Sequence, residues 1–88
     1  MMSPTKLQSA HSHSANHRAE IRASKLCGCF YCRTVYPPDK IKDWVDEDSK
    51  GEGQTALCPK CGIDSVIGDA SGLRLTPKFL AAMHTYWF

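Results

Sequence analysis

The fold is decided by two stretches in which cysteines stand three positions apart, Cys29-Phe-Tyr-Cys32 and Cys58-Pro-Lys-Cys61. Two intervening residues let a tight turn, here called a knuckle, place both sulfurs on one side of a metal ion, with metal–sulfur bonds of ~2.3 Å. Two knuckles together supply four thiolates, which close a tetrahedral site. The sequence therefore predicts one metal ion, Zn²⁺ in the first instance, with Cys29, Cys32, Cys58 and Cys61 as its ligands.

The second knuckle, residues 58–61, carries two further residues that suit such a turn. Pro59 fixes one backbone torsion, and Gly62 can adopt a positive φ that turns backbone N–H groups toward the sulfurs. This knuckle is therefore the clearer of the two signals.

Cys27 is left over, because the chain has five cysteines. An odd count and a reducing compartment both argue against a disulfide framework. Cys27 is then an incidental buried thiol, a substitute for Cys29 as ligand, or a redox-sensitive thiol beside the metal. The two-residue spacing within the first knuckle, residues 29–32, favours Cys29 as the ligand.

These motifs resemble the zinc-ribbon and rubredoxin-like group of four-cysteine domains. The likeness is carried by the four knuckle cysteines with Pro59 and Gly62, and it covers residues 27–68. The cysteine-rich run from residue 27 to residue 32, taken with the second knuckle, is also similar to small uncharacterised bacterial cytoplasmic proteins, which implies no activity. Arg33 stands where the group commonly has glycine. The segment between the knuckles is longer than is typical of zinc pairs, so an insertion is expected there.

The other segments predict a small α+β fold: a zinc ribbon of short antiparallel β-hairpins with an inserted short helix. Residues 33–38 and 63–68 are predicted to form strands because they are rich in β-branched and aromatic side chains. Ile41, Trp44 and Val45 recur at helical spacing, which predicts the inserted helix over residues 39–46. Because the second knuckle leads into a strand, a ribbon is favoured over a treble-clef arrangement.

A C-terminal helix is predicted over residues 76–87. Thr76 is a good N-cap and Pro77 suits the first helical position. Phe79, Leu80, Met83 and Trp87 fall on one face, which we expect to pack on the ribbon. Such a small domain buries little apolar surface, so the metal and this helix are both expected to stabilise it.

Residues 1–25 are predicted to be a disordered, basic tail, with the domain in residues 26–88. The tail is rich in Ser and His, lacks aromatic residues and cysteines, and carries a net charge of +3, whereas residues 26–88 carry −1. A segment with so little apolar surface cannot offset its chain entropy. His11, His13 and His17 are weak metal ligands in such a tail, and His84 is expected on a helix surface.

No catalytic residues and no small-molecule substrate are predicted, because a closed four-cysteine site leaves no position for a reactive water. The expected function is that of a non-enzymatic structural module with a macromolecular partner, most simply a protein. The candidate contact residues are exposed aromatics: Tyr31, Tyr86, Trp87 and Phe88. Two alternatives stay open, a nucleic-acid-binding ribbon and rubredoxin-like electron transfer with iron.

A cytoplasmic location is expected. The sequence has no run of ~18 apolar residues that could span a membrane. Its first residues also lack the apolar stretch of a secretory signal.

Overall fold

The structure is a computed structural model, and it describes residues 3–88. Met1 and Met2, which belong to the predicted tail, lie outside the described residues. The elements follow in the order α1 (Pro4–His11), α2 (Arg18–Ala23), β1 (Cys27–Cys29), β2 (Val35–Tyr36), β3 (Trp44–Glu47), β4 (Gly53–Ala56), β5 (Val66–Gly68) and α3 (Pro77–Trp87), with short 3₁₀ turns at Ser12–Ser14, Pro38–Lys40 and Asp69–Ser71.

A three-stranded antiparallel sheet in the order β2–β1–β5 forms the centre of the fold. Successive side chains on a strand point to opposite faces. Cys27 and Cys29 on β1 therefore share one face, and Gly28 lies on the other. Strand β5 divides in the same way, since Val66 packs with the cysteines and Ile67 with the opposite face.

Each face of this sheet has its own apolar core. The face that bears Cys27 and Cys29, here called the cysteine face, is covered by α2 and by residues from the knuckles, and its buried members are Ile21, Cys27, Cys29, Tyr36, Ile41, Ala56, Cys58 and Val66. The opposite face, here called the helix face, is covered by α1 and α3, and its buried members are Leu7, Ala10, Phe30, Ile67, Phe79, Leu80 and Met83.

The C-terminal helix α3 lies where the sequence predicts it. The Thr76 hydroxyl accepts a hydrogen bond from the Phe79 backbone N–H at 3.1 Å, and Pro77 occupies the first turn. The helix approaches β1 closely at Gly28, where an added Cβ would lie 3.3 Å from the Leu80 methyl carbons. The small α+β fold with short antiparallel strands is likewise as predicted.

The predicted helix over residues 39–46 is wrong. A 3₁₀ turn at Pro38–Lys40 is followed by strand β3, which pairs with β4 in a two-stranded hairpin, with Trp44 opposite Ala56. Three apolar residues in so short a segment fit either period, and pairing with a neighbouring strand overrides weak helical spacing.

The prediction of a disordered tail also differs from the structure over residues 3–25. This segment forms α1 and α2, and it buries Leu7, Ala10 and Ile21. Ile21 is fully buried in the cysteine face, and Leu7 and Ala10 belong to the helix face. The two large apolar residues among residues 3–25, Leu7 and Ile21, are therefore both buried.

Polar contacts attach the same segment to the β3–β4 hairpin. The His17 backbone N–H donates to the Gln54 carbonyl at 2.7 Å, and the Arg18 guanidinium donates to the Gly53 carbonyl at 2.8 Å. The Arg18 guanidinium also lies 4.5 Å from the centre of the Trp44 ring, a favourable cation–π distance.

Among residues 3–88, each helix is too short or too polar to cross a membrane.

Candidate metal centre

The two knuckles share one backbone hydrogen-bond pattern. In the first, the Cys29 carbonyl accepts from the Arg33 N–H at 2.7 Å, and the Cys29 N–H donates to the Thr34 carbonyl at 3.0 Å. In the second, the Cys58 carbonyl accepts from the Gly62 N–H at 2.9 Å, and the Cys58 N–H donates to the Ile63 carbonyl at 3.0 Å. Both turns are thus closed in the same way, and each presents its cysteine pair on one side.

The residue after each knuckle has a left-handed backbone. Gly62 has φ 78°, as the sequence predicts, and Arg33 has φ 62°. Arg33 therefore adopts the conformation that glycine takes in the second knuckle, at a cost of roughly 1–2 kcal/mol for a residue with a Cβ. The departure from glycine at this position changes the energy of the turn and leaves its geometry intact.

The knuckles bring the four predicted ligands together. The sulfurs of Cys29, Cys32, Cys58 and Cys61 all lie within 4.8 Å of one another. Across the knuckles, Cys29 Sγ is 3.6 Å from Cys61 Sγ, and Cys32 Sγ is 3.6 Å from Cys58 Sγ. A tetrahedron with metal–sulfur bonds of ~2.3 Å has edges of ~3.8 Å. The cluster could therefore hold a metal ion.

The site lies half inside the protein. Cys29 and Cys58 are buried in the cysteine face, whereas Cys32 and Cys61 are partly exposed. Burial would raise the pKa of Cys58, but the nearby Tyr36 hydroxyl and the backbone N–H groups of Cys61 and Lys60, which favour the thiolate, lower it to about 7. Burial raises the pKa of Cys29.

Tyr36 is a residue of the site that the sequence analysis missed. Its hydroxyl is buried beside Cys58, and within residues 3–88 no partner meets good hydrogen-bond geometry. An unsatisfied buried donor is costly. A thiolate at Cys58 is the acceptor that this hydroxyl needs, so the orphaned donor fits a site whose sulfurs are ionised by a metal. Tyr36 lies on a predicted strand, two residues after Thr34, and this position in the sequence does not indicate that it lies beside Cys58.

Cys27 lies outside the group of four sulfurs. It is fully buried on the cysteine face. Burial, together with the negative charge of Asp69, raises the pKa of Cys27 to about 12. A thiol with such a pKa is a poor nucleophile at neutral pH, which favours an incidental buried residue over a redox-sensitive one.

The histidines of the N-terminal segment lie apart from the cluster. His17 is buried, its Nδ1 is 2.6 Å from the His13 carbonyl, and its Nε2 accepts from the Ala56 N–H at 3.0 Å. His13 pairs with the Glu20 carboxylate at 3.0 Å. His11 packs against the Trp87 ring with 4.0 Å between ring centres. These contacts give the three side chains structural roles.

All four predicted contact aromatics keep 38–58% of their surface exposed, and each also makes contacts within the chain. The Tyr86 hydroxyl accepts from the Gln8 side-chain amide at 2.7 Å, and the Trp87 indole N–H donates to the Leu7 carbonyl at 3.3 Å. Both therefore help to hold α1. Tyr31 and Phe88 pack edge to face beside His84, and they remain 40% and 58% exposed.

Comparison with known proteins gives no significant match among protein families, curated proteins or solved structures.

Proposed function

We propose that this protein is a non-enzymatic structural module organised around one Zn²⁺, and that it presents its surface to a protein partner. The observation that carries the proposal is the approach of four cysteine sulfurs to within 4.8 Å of one another. Cys29, Cys32, Cys58 and Cys61 would hold the ion, which would supply a cross-link between the two knuckles. In this proposal the fold is a zinc ribbon with an added N-terminal segment.

The size of the chain supports a structural role for the metal. A domain of about 60–90 residues buries only about 60% of the surface that its unfolded chain exposes. Metal binding adds free energy to folding directly, because the unfolded chain has no preformed site. The two knuckles enclose the segment that contains β3 and β4, so one ion would close that long loop.

The chemistry of the donor set supports zinc but suits iron as well, since tetrahedral thiolates bind both. Free thiolate ligands call for a reducing compartment, and a cytoplasmic setting is part of the proposal. A protein partner is favoured over nucleic acid because residues 26–88 carry seven basic and eight acidic side chains. Phosphate binding needs clustered basic side chains in excess.

The proposal is tested by measuring bound metal on untagged protein with native mass spectrometry, after growth with both zinc and iron available. One zinc per chain is expected. A coloured protein with one iron would replace the structural module with the electron-transfer alternative. A folded chain that binds neither metal would overturn the proposal.

A pair of matched variants separates the metal site from general packing. Cys58→Ala and Cys27→Ala each remove one sulfur from a buried position on the cysteine face. Cys58→Ala is expected to lose zinc and the near-UV circular dichroism together, whereas Cys27→Ala retains one zinc. Equal zinc content in the two variants would contradict the ligand assignment.

A further inference from the structure

A groove of about 490 Å³ runs beside strand β2, between the segment that follows it and the tip of the second knuckle. Its apolar wall includes Val35, Pro37 and Pro59. Its rim carries three lysines, Lys40, Lys42 and Lys60. We call this feature the lysine groove.

The charges of the lysine groove are unbalanced. Lys40, Lys42 and Lys60 are exposed, and none of them takes part in an ion pair within residues 3–88. Asp43 is the single acidic residue on the lining, so the side chains of the groove sum to +2. The groove is thus a positive patch on a domain whose residues 26–88 are net acidic, and a negatively charged ligand fits it best.

Strand β2 forms a free edge of the sheet on the same side. Gly28 lies opposite Val35 on β2 and opposite Ile67 on β5. The neighbouring residue Cys29 donates to Thr34, beside β2, while Phe30 donates to Ser65, beside β5. Because hydrogen-bonded pairs alternate along an antiparallel ladder, Gly28 bonds toward β5.

The Val35 N–H and C=O therefore point away from β1, along the free edge. Within residues 3–88, no hydrogen bond beyond the β1–β2 ladder reaches Val35. An unpaired edge with an apolar side chain (Val35 is 41% exposed) is a template for an added strand.

We infer that the lysine groove binds an extended acidic segment of a partner protein, which adds to β2 as a further strand. The main chain of the segment would pair with Val35, its acidic side chains would meet Lys40, Lys42 and Lys60, and its apolar side chains would contact Pro37 and Pro59. This inference rests on the proposed function, for which it names the surface and the chemistry of the partner.

A single-stranded nucleic acid is the other anionic ligand of extended shape. Such ligands bind by stacking their bases on exposed aromatic rings. The one aromatic residue on the lining of the groove, Tyr36, is buried. The apolar wall of valine and proline suits aliphatic side chains, so the groove favours a peptide.

The test is a titration of ¹⁵N-labelled, full-length protein followed by amide chemical shifts. The probe is a peptide of alternating Glu and Val residues, and the matched probe has Lys in place of each Glu. The acidic peptide is expected to saturate the shifts of Val35 and Lys60, with half-saturation below about 1 mM. The basic peptide is expected to leave them unchanged. An acidic peptide N-methylated at alternate residues, which cannot pair along one edge, is expected to bind at least about tenfold more weakly.

Two charge-reversal variants locate the binding. Lys42→Glu combined with Lys60→Glu is expected to weaken acidic-peptide binding by at least about tenfold. Lys50→Glu combined with Lys78→Glu changes the net charge equally at exposed positions outside the groove, and it is expected to bind within about twofold of the native chain. Equal loss in both variants would show non-specific attraction and overturn the inference.

Three further results would overturn the inference. Unchanged spectra with the acidic peptide would show that the lysines and Pro37 only protect the edge strand from pairing. Saturation by an oligothymidylate alone would assign the groove to nucleic acid. Concentration-dependent self-association that the acidic peptide does not displace would assign it to a second copy of the chain. Zinc content is measured on the same sample, so failure of peptide binding with zinc retained leaves the proposed function standing.

Discussion

Replacing Ile21 by alanine tests whether the N-terminal segment is an integral part of the domain. Ile21 is the side chain by which α2 enters the cysteine face, and it is 0% exposed. It packs there with Cys29, Cys58 and Val66. If residues 3–25 were a mobile tail, this side chain would contribute nothing to stability.

The expected loss of stability follows from the burial. The substitution removes three carbon atoms, and each buried methylene is worth about 0.8 kcal/mol, which gives about 2.4 kcal/mol of lost transfer free energy. The cavity that remains adds to this value, because the strands around it relax only in part. We expect the free energy of unfolding to fall by about 2.5–4 kcal/mol, a large part of the stability of a small domain.

The assay is urea unfolding in buffer with added zinc, followed by circular dichroism and by tryptophan fluorescence. Free zinc is held constant, because a ligand that binds only the native state changes the apparent stability. Leu26→Ala is the matched control, since it removes the same number of carbon atoms from a residue that is 45% exposed, and it is expected to cost less than about 1 kcal/mol. Equal effects of the two substitutions would refute the placement of α2 in the core.

Three further predictions concern the second knuckle, α3 and the buried histidine. Gly62→Ala is expected to lower the free energy of unfolding in urea by about 1–2 kcal/mol through backbone strain alone. The reason is that Gly62 has φ 78°, while an added Cβ would meet nothing within 4 Å. An unchanged unfolding midpoint would contradict the left-handed backbone at Gly62. Thr76→Ala is expected to cost about 1 kcal/mol because it removes the cap bond to the Phe79 N–H, whereas Thr76→Ser should retain most of the stability. Burial lowers the pKa of His17 below 6.5, despite the hydrogen bond to His13 and the charge of Glu20. The folded state therefore binds this proton less readily than the unfolded chain. The folding stability that the neutral His17 ring contributes is fully present above pH 6.5, and it is lost as pH falls through the folded pKa. An NMR titration of the ring with a midpoint at or above 6.5 would contradict this assignment.

The features that the sequence predicts well are those specified by neighbouring residues. Two residues between cysteines determine where the paired sulfurs can lie. A Thr-Pro pair favours the start of a helix through local interactions, without contacts from distant segments. The four sulfurs and α3 are accordingly found where they were expected. The left-handed backbone at Gly62 is equally local.

The features that the sequence fails to predict depend on contacts between distant segments. Strand β3 exists because β4 lies beside it, and α2 is held by groups on that same hairpin. His17 illustrates the difficulty, since a histidine in a polar stretch gives no sign that Ala56, far along the chain, will donate to its ring. Composition measures how much apolar surface a segment has, but it does not show where that surface lies, and the fully buried Ile21 illustrates the difference.

The arrangement of the two cores links the N-terminal segment to the four-cysteine cluster. Ile21 shares the cysteine face with Cys29 and Cys58, whereas α1 and α3 form the core on the other face of the same sheet. A metal bound by Cys29 and Cys58 would hold two members of the buried cluster to which Ile21 of α2 belongs. Because a metal and α2 would then stabilise the same sheet face, their contributions would not be independent, and loss of either is expected to weaken the other. The helix face has no cysteine among its buried residues, so this coupling is expected to be confined to the half of the domain that contains the four-cysteine cluster.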